Sequence, residues 1–247
     1  MAKILVLNPV STSKWDEITR KHLERIASPR TEFEVRSLRD GPKTIETEYD
    51  SILAARYVVE EAVRAEREGF DAMVINCFDD PGLHASREVV DVLVLGIGES
   101  SMMLGLLLGH RIAVISTGKS ARSLYHRKAM EMGIAERLAY ASGIDVGVLD
   151  LKEKEAEIEE LVKSEARKAV DDYGAEVIVL GCGGFIGLPE RLSEELGVPA
   201  IDATIVTFKL AEALAGLNLS HSKAFLYNPP PHKLYEWSRA LKRIQTR

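Results

Sequence analysis

Short apolar runs bounded by turn formers alternate along this chain with longer stretches in which apolar residues recur every three to four positions. The short runs read as buried strands and the longer stretches as amphipathic helices packed against them. In the first half the pattern predicts strands at 4–7, 33–36, 73–75 and 92–95, with helices over 13–26, 49–68, 84–90 and 100–108. In the second half it predicts strands at 112–115, 144–149, 177–180 and 199–201, with helices over 120–133, 152–173, 188–196 and 204–214. Ser11, Thr12 or Ser13 can cap the first helix, while Gly69 and Gly174 stand where a helix would stop. Strands alternating with helices of this size predict an α/β protein of parallel sheets flanked by helices on both faces.

The two halves resemble each other. Asp71-Ala-Met-Val-Ile-Asn-Cys77 lies over Glu176-Val-Ile-Val-Leu-Gly-Cys182 at an offset of 105 positions, 77 to 182. Lys3-Ile-Leu-Val-Leu-Asn8 lies over Arg111-Ile-Ala-Val-Ile-Ser116 at an offset of 108, from 3 to 111. Buried parallel strands share Val, Ile and Leu in any case, so the inference of a duplication rests on the two cysteines falling in register. It predicts two pseudo-symmetric α/β domains, one of residues 1–103 plus 212–247 and one of residues 104–211, with the active site in the cleft between them.

Composition narrows the function. Of 247 residues, 46% are apolar and 28% charged, ordinary for a globular protein with a large core. The longest apolar stretch, 89–108, is broken by Asp91 and Glu99, so no membrane span is expected. Met1-Ala2-Lys3 leads straight into the first strand without a cleavable leader, and a cytoplasmic location is expected. A net charge of −6 gives no reason to expect nucleic acid as a partner. Beyond Pro229-Pro230-Pro231 the chain is locally basic, with Lys233, Arg239, Lys242, Arg243 and Arg247 interleaved with Tyr235 and Trp237. That tail reads as a terminal helix docked on its own protein or on a neighbouring subunit, and a homo-oligomer is expected.

Cys77 and Cys182 are the only cysteines, and each stands just past a predicted strand, where α/β proteins bind ligands. A structural disulfide is not expected in a cytoplasmic setting, and no CxxC pair or HxxxH spacing points to a metal. Two thiols on opposite walls of one cleft suit a cofactor-free racemase, in which one base removes an α-proton and the other returns a proton from the opposite face. A free thiol has a pKa of about 8.5, within reach of neutral pH. Burial and nearby Asp79 and Asp80 would raise that value, and helix N-termini would lower it. The backbone N–H groups of Phe78, Gly183 and Gly184 are candidates to hold the carbanion. A competing reading is a dinucleotide-binding module: Gly181, Gly183, Gly184 and Gly187 follow a strand, and Asp202 ends the next one. Against it, Ile186 stands where the third glycine belongs, and the turn at Asn76-Cys77-Phe78-Asp79 has no glycine. His84 follows Cys77 closely enough to tune it, and Lys119 beside Ser116-Thr117-Gly118 is a candidate anion contact.

The segments Asn76-Cys77-Phe78-Asp79-Asp80-Pro81-Gly82-Leu83, Arg87-Glu88, Gly96-Ile97-Gly98-Glu99-Ser100 and Leu180-Gly181-Cys182-Gly183-Gly184-Phe185 resemble the two cysteine regions of the hydantoin racemases, in the aspartate/glutamate racemase superfamily. Gly41-Pro42-Lys43-Thr44-Ile45-Glu46 and Asn8-Pro9 resemble two further pocket segments, so the similarity covers nearly the whole chain as far as Leu214. The resemblance implies an aspartate/glutamate racemase-like fold, Cys77 and Cys182 as catalytic bases, no metal and no cofactor. It implies a small-molecule substrate, a five-membered cyclic diamide with one side chain. Pro42, Phe78 and Phe185 are expected to shape an apolar subsite, and Asn8, Ser116 and Thr117 to orient the ring. The family's Asn-Pro-Asn-Thr start is Asn8-Pro9-Val10-Ser11 here, and Gly183 and Phe185 replace its usual residues after the second cysteine. These departures leave allantoin or a free amino acid open as substrate.

Overall fold

The structure, a computed structural model, describes residues 2–148, 151, 155–185 and 187–229. Strands β1 (Ala2–Asn8), β2 (Thr31–Ser37), β3 (Ala72–Ile75) and β4 (Leu93–Gly96) form one parallel sheet in the order β2-β1-β3-β4. Strands β5 (Ile112–Ser116), β6 (Leu138–Gly143), β7 (Val177–Leu180) and β8 (Ala200–Asp202) form a second in the order β6-β5-β7-β8. The two orders are one order repeated, as the sequence duplication predicts. The helices are α1 (Asp16–Glu24), α2 (Glu48–Arg67), α3 (Leu83–Val89), α4 (Ile97–Leu108), α5 (Ala121–Glu131), α6 (Glu155–Asp171), α7 (Leu188–Leu196) and α8 (Ala203–Gly216). No helix among the described residues is long and apolar enough to cross a membrane.

The central strands are apolar on both faces because both faces are covered. Ile4 and Val6 point into a core shared with Ile112, Val114, Val177 and Val179, while Leu5 and Leu7 point the other way, toward α2. In the second sheet Ala113, Ile115, Ile178 and Leu180 face α6 and α7. Helix α4 leaves β4 of the first sheet and packs on β5, β7 and β8 of the second. Helix α8 leaves β8 and packs on β1, β3 and β4 of the first. The halves thus exchange their last helices, which also pack on each other, and one apolar core spans the molecule. The expected domain limits at 103/104 and 211/212 fall inside these two exchanged helices.

One predicted element is displaced. The strand expected at 144–149 is found at Leu138–Gly143, paired in parallel with β5. This strand has only β5 beside it and buries only Leu138 and Ala141, so its apolar signal is weak. Ile144 and Val146 donate backbone N–H groups to the carbonyls of Ser116 and Thr117 as the chain leaves the sheet, and Ile144 fills the second-half core.

A polar clamp ties α1 to α8. Asp202 caps α8, its Oδ1 accepting the Ile205 N–H at 3.0 Å, while its Oδ2 meets Nε2 of buried His22 at 2.8 Å. Asp202→Ala removes a cap and orphans a buried ring nitrogen, so we expect a loss of about 2 kcal/mol. Urea unfolding should show a lower midpoint with an unchanged slope.

Candidate active site

Both cysteines occupy the second position past a strand, and the two turns repeat bond for bond. Asn76 N–H donates to Leu7 O at 2.8 Å, and Gly181 N–H to Ile115 O at 2.7 Å. The carbonyl of Cys77 accepts from Asp80 N–H at 3.0 Å, and that of Cys182 from Phe185 N–H at 3.2 Å. Each turn then enters its helix through a left-handed glycine, Gly82 at φ 71° and Gly187 at φ 76°. Each sulfur receives the N–H of the residue two positions on: Asp79 N–H for Cys77, and Gly184 N–H at 3.4 Å for Cys182.

The first turn is clamped by the start of α4. Asp80, itself at φ 53°, accepts from Gly98 N–H at 2.9 Å and Glu99 N–H at 2.7 Å, and pairs with Lys128 of α5 at 2.7 Å. A carboxylate at a helix N-terminus satisfies free N–H groups and complements the helix dipole. The closeness requires glycine: a Cβ on Gly98 would lie 2.0 Å from Phe78 O.

The turns open onto one cleft with about 800 Å³ of empty space, partly open to solvent. Its floor is polar and already hydrogen-bonded. Thr204 Oγ1 donates to Asn76 Oδ1 at 2.7 Å, Asn76 Nδ2 to Asn8 Oδ1 at 2.8 Å, and Asn8 Nδ2 to Asp16 Oδ1 at 2.7 Å. Behind the cysteines, Ser116 Oγ donates to Gly181 O at 2.6 Å and meets the Tyr125 hydroxyl at 3.1 Å, which in turn lies 3.4 Å from Asp79 Oδ1. Val10, Trp15, Ile45, Leu124 and Val148 supply apolar walls. Across the mouth, Glu46 of the first half accepts the Val148 N–H of the second at 3.3 Å.

Burial pushes the Cys77 thiol well above the ordinary cysteine range, and the charges of Asp79, Asp80 and Cys182 push it further; only the Asp79 N–H opposes them. Burial likewise pushes Cys182 up to about 11, with Asp79 and Glu46 adding to it and the Gly184 N–H opposing. The expected lowering of the thiol pKa by helix N-termini is therefore outweighed by desolvation and by carboxylates. A thiol pKa raised by folding means that the folded state holds its proton longer than the unfolded chain. Stability contributed by Cys182 is present below pH 9.0 and is lost as pH rises toward about 11.

Asn8, Phe78, Ser116, Thr117, Gly183 and Gly184 all line the cleft with the two cysteines, whereas Pro42 and Phe185 do not. Phe185 is 5% exposed and packs in the second-half core, and Pro42 serves through its carbonyl, which accepts from Ser11. Phe78 is 2% exposed and meets Tyr125 edge-on at 5.0 Å, reaching the cleft from the core. The Asp202 carboxylate is occupied by His22 and the α8 cap, so it does not serve the dinucleotide reading. His84 faces Tyr227, away from the cleft, and Lys119 pairs with Asp145. The basic tail from residue 230 lies outside the described residues. Sequence reasoning missed Tyr125, Trp15, Leu124 and Val148 as lining residues. Asn76 and Asp79 stood within the first cysteine motif, and Ile45 and Glu46 within a quoted pocket segment, so these lining residues were legible.

Two repeated parallel-sheet halves that present equivalent thiols to a shared cleft define a protein built for chemistry at a small molecule between them. The sequence profile of the Asp/Glu/Hydantoin racemase family matches residues 4–211. A hydantoin racemase of Paenarthrobacter aurescens is 36% identical over 234 residues, 94% of this chain and 99% of its own. One from Rhizobium meliloti is 33% identical over 227 residues, 92% of this chain and 94% of its own. Among solved structures, the allantoin racemase from Klebsiella pneumoniae shares the fold with a TM-score of 0.88 at 31% identity, over 94% of each chain. The chain belongs to the Asp/Glu/Hydantoin racemase family, and it is an isomerase of the racemase type.

Proposed function

We propose that the protein racemises 5-substituted hydantoins by two-base proton transfer between Cys77 and Cys182. One observation carries this reading: equivalent thiols open on a single cleft whose described lining contains no Lys, Arg or His. A free amino acid would bring a carboxylate into that cleft and meet the carboxylates of Glu46 and Asp79, with no cation among the described lining residues to offset its desolvation. A neutral cyclic diamide carries only amide donors and acceptors, which Asn8, Asn76, Ser116, Thr117 and the turn backbone match in kind. Its C5 hydrogen is acidified by the adjacent ring carbonyl. One thiolate takes that proton, the planar carbanion spreads its charge onto the carbonyl oxygen, and the opposite thiol protonates C5 from the other face. The scheme needs no metal or cofactor. The substituent lies against Val10, Trp15, Ile45, Leu124 and Val148.

Allantoin is the second reading, favoured by Glu46 at the mouth, which can accept from the donors of a ureido substituent, and by the named allantoin racemase of the same fold. Polarimetry on single enantiomers of 5-benzylhydantoin, 5-isopropylhydantoin, allantoin, aspartate and glutamate separates these readings. Loss of rotation is expected with a hydantoin ring and none with the free acids; racemisation of aspartate or glutamate alone would overturn the assignment.

The pH dependence follows from the raised thiols. Because a thiolate must form from groups held above their usual range, kcat/KM is expected to climb steadily between pH 7 and pH 9 rather than level off near neutrality. A profile flat from pH 6 upward would contradict thiolate formation in the free enzyme.

A further inference from the structure

Asp79 stands at a junction. It lines the cleft with both cysteines, and it also lines two polar cavities behind it, one with Glu48, Arg127 and Lys128 and one with Asp80, His84 and Glu99. It is also the head of the hydrogen-bonded chain through Tyr125 and Ser116 to the carbonyl of Gly181, the residue before Cys182. Ser116 spends its hydrogen on Gly181 O, so in its contact with Tyr125 it is free to accept. With Asp79 protonated, the carboxyl donates to Tyr125, Tyr125 to Ser116 and Ser116 to Gly181, and every oxygen in the chain is satisfied. With Asp79 ionised, the single phenolic hydrogen turns to the carboxylate and Ser116 loses its donor. The chain therefore has an orientation for each protonation state of Asp79. Burial raises the Asp79 carboxyl, with Asp80 and Glu48 adding to it and Lys128 and Tyr125 opposing, while burial and Asp79 keep Tyr125 a neutral phenol.

We infer that Asp79 is a positioning residue for the racemase reaction, the group that resets the proton of the cysteine pair between turnovers. The inference rests on the two-thiol reading above. A turnover leaves the proton taken from C5 on the first sulfur and leaves the second sulfur as a thiolate. The first S–H gives its proton to the Asp79 carboxylate through the solvent of the cleft, restoring a thiolate and forming a carboxyl. That carboxyl then gives the proton to the second thiolate, so the starting ionisation returns with no net change in charge. The outer cavities let the same carboxyl exchange with bulk solvent.

The reset follows product release, so it limits kcat and leaves kcat/KM untouched. Asp79→Asn keeps the shape and a donor to Tyr125 but cannot carry the proton. We expect kcat to fall at least about tenfold while kcat/KM does not fall, its pH profile moving to lower pH because the Asp79 charge no longer raises the two thiols. We also expect kcat to recover as imidazole or formate buffer is added, because small acids can reach the cavity in place of the carboxyl. Asp79→Ser, measured the same way, serves if the asparagine variant fails to fold. Equal losses in kcat and kcat/KM without a buffer response, or wild-type kinetics throughout, would overturn the inference. Cys77→Ser and Cys182→Ser run alongside keep it distinct: if both are inactive while Asp79→Asn behaves as wild type, only the role of Asp79 falls.

Discussion

Cys77→Ser and Cys182→Ser are each expected to lose racemisation by on the order of 10³-fold in kcat/KM, the scale of a general acid or base at the reacting atom. An alcohol ionises far less readily than a thiol, so serine cannot supply the base that removes a carbon-bound proton, and racemisation needs a base on each face. The fold should be unaffected. Both cysteines are half-buried residues, and the turns around them are held by backbone bonds that serine keeps, Asp80 N–H to residue 77 and Phe185 N–H to residue 182. Melting curves and circular dichroism should overlay those of the wild type, so lost activity would report chemistry alone. Full activity in either variant would end the two-base scheme.

Gly98→Ala is expected to destabilise the protein strongly. The added Cβ would sit 2.0 Å from Phe78 O and 2.8 Å from Asp80 Oδ2, and backbone cannot move aside as a long side chain can. The Cys77 turn would have to lift from the start of α4 and give up the bonds from Gly98 and Glu99 to Asp80. Overpacking of this kind costs about 3 kcal/mol. Thermal or urea unfolding checks the stability loss. Because Cys77 moves with the turn, kcat should fall in whatever fraction stays folded. Wild-type stability would show that the turn is not clamped in this way.

Much of this was legible from periodicity and position. The strands and helices of both halves, β6 excepted, follow from apolar spacing, and the cysteines pointed to the candidate site because they sit past strand ends at one offset. Asn8 and Ser116 were legible for the same reason, each closing the first strand of its half. Position near a motif does not give direction, however. Phe185 follows Cys182 by three residues, but its N–H closes the turn and its side chain turns into the core with Leu188. Pro42 contributes a carbonyl that holds Ser11. Tyr125 reaches the cleft only because α5 packs beside the Cys77 turn, where Lys128 holds Asp80, and no local pattern in a mixed helix announces such a contact. β6 escaped notice because only Leu138 and Ala141 of its six residues are buried, which leaves no continuous buried apolar run. The thiols' pKa direction turned on how deeply each turn is buried, which is a property of the assembled cleft.

The most direct measurement of two opposed bases is transfer of solvent deuterium to C5 of single enantiomers in D₂O. With the wild type, deuterium should appear in the inverted product, one atom per inversion. Each serine variant should at most exchange hydrogen on the face of its remaining thiol, for one enantiomer, without inversion. Inversion with deuterium uptake in a single-serine variant would show that one thiol, or another group, serves both faces.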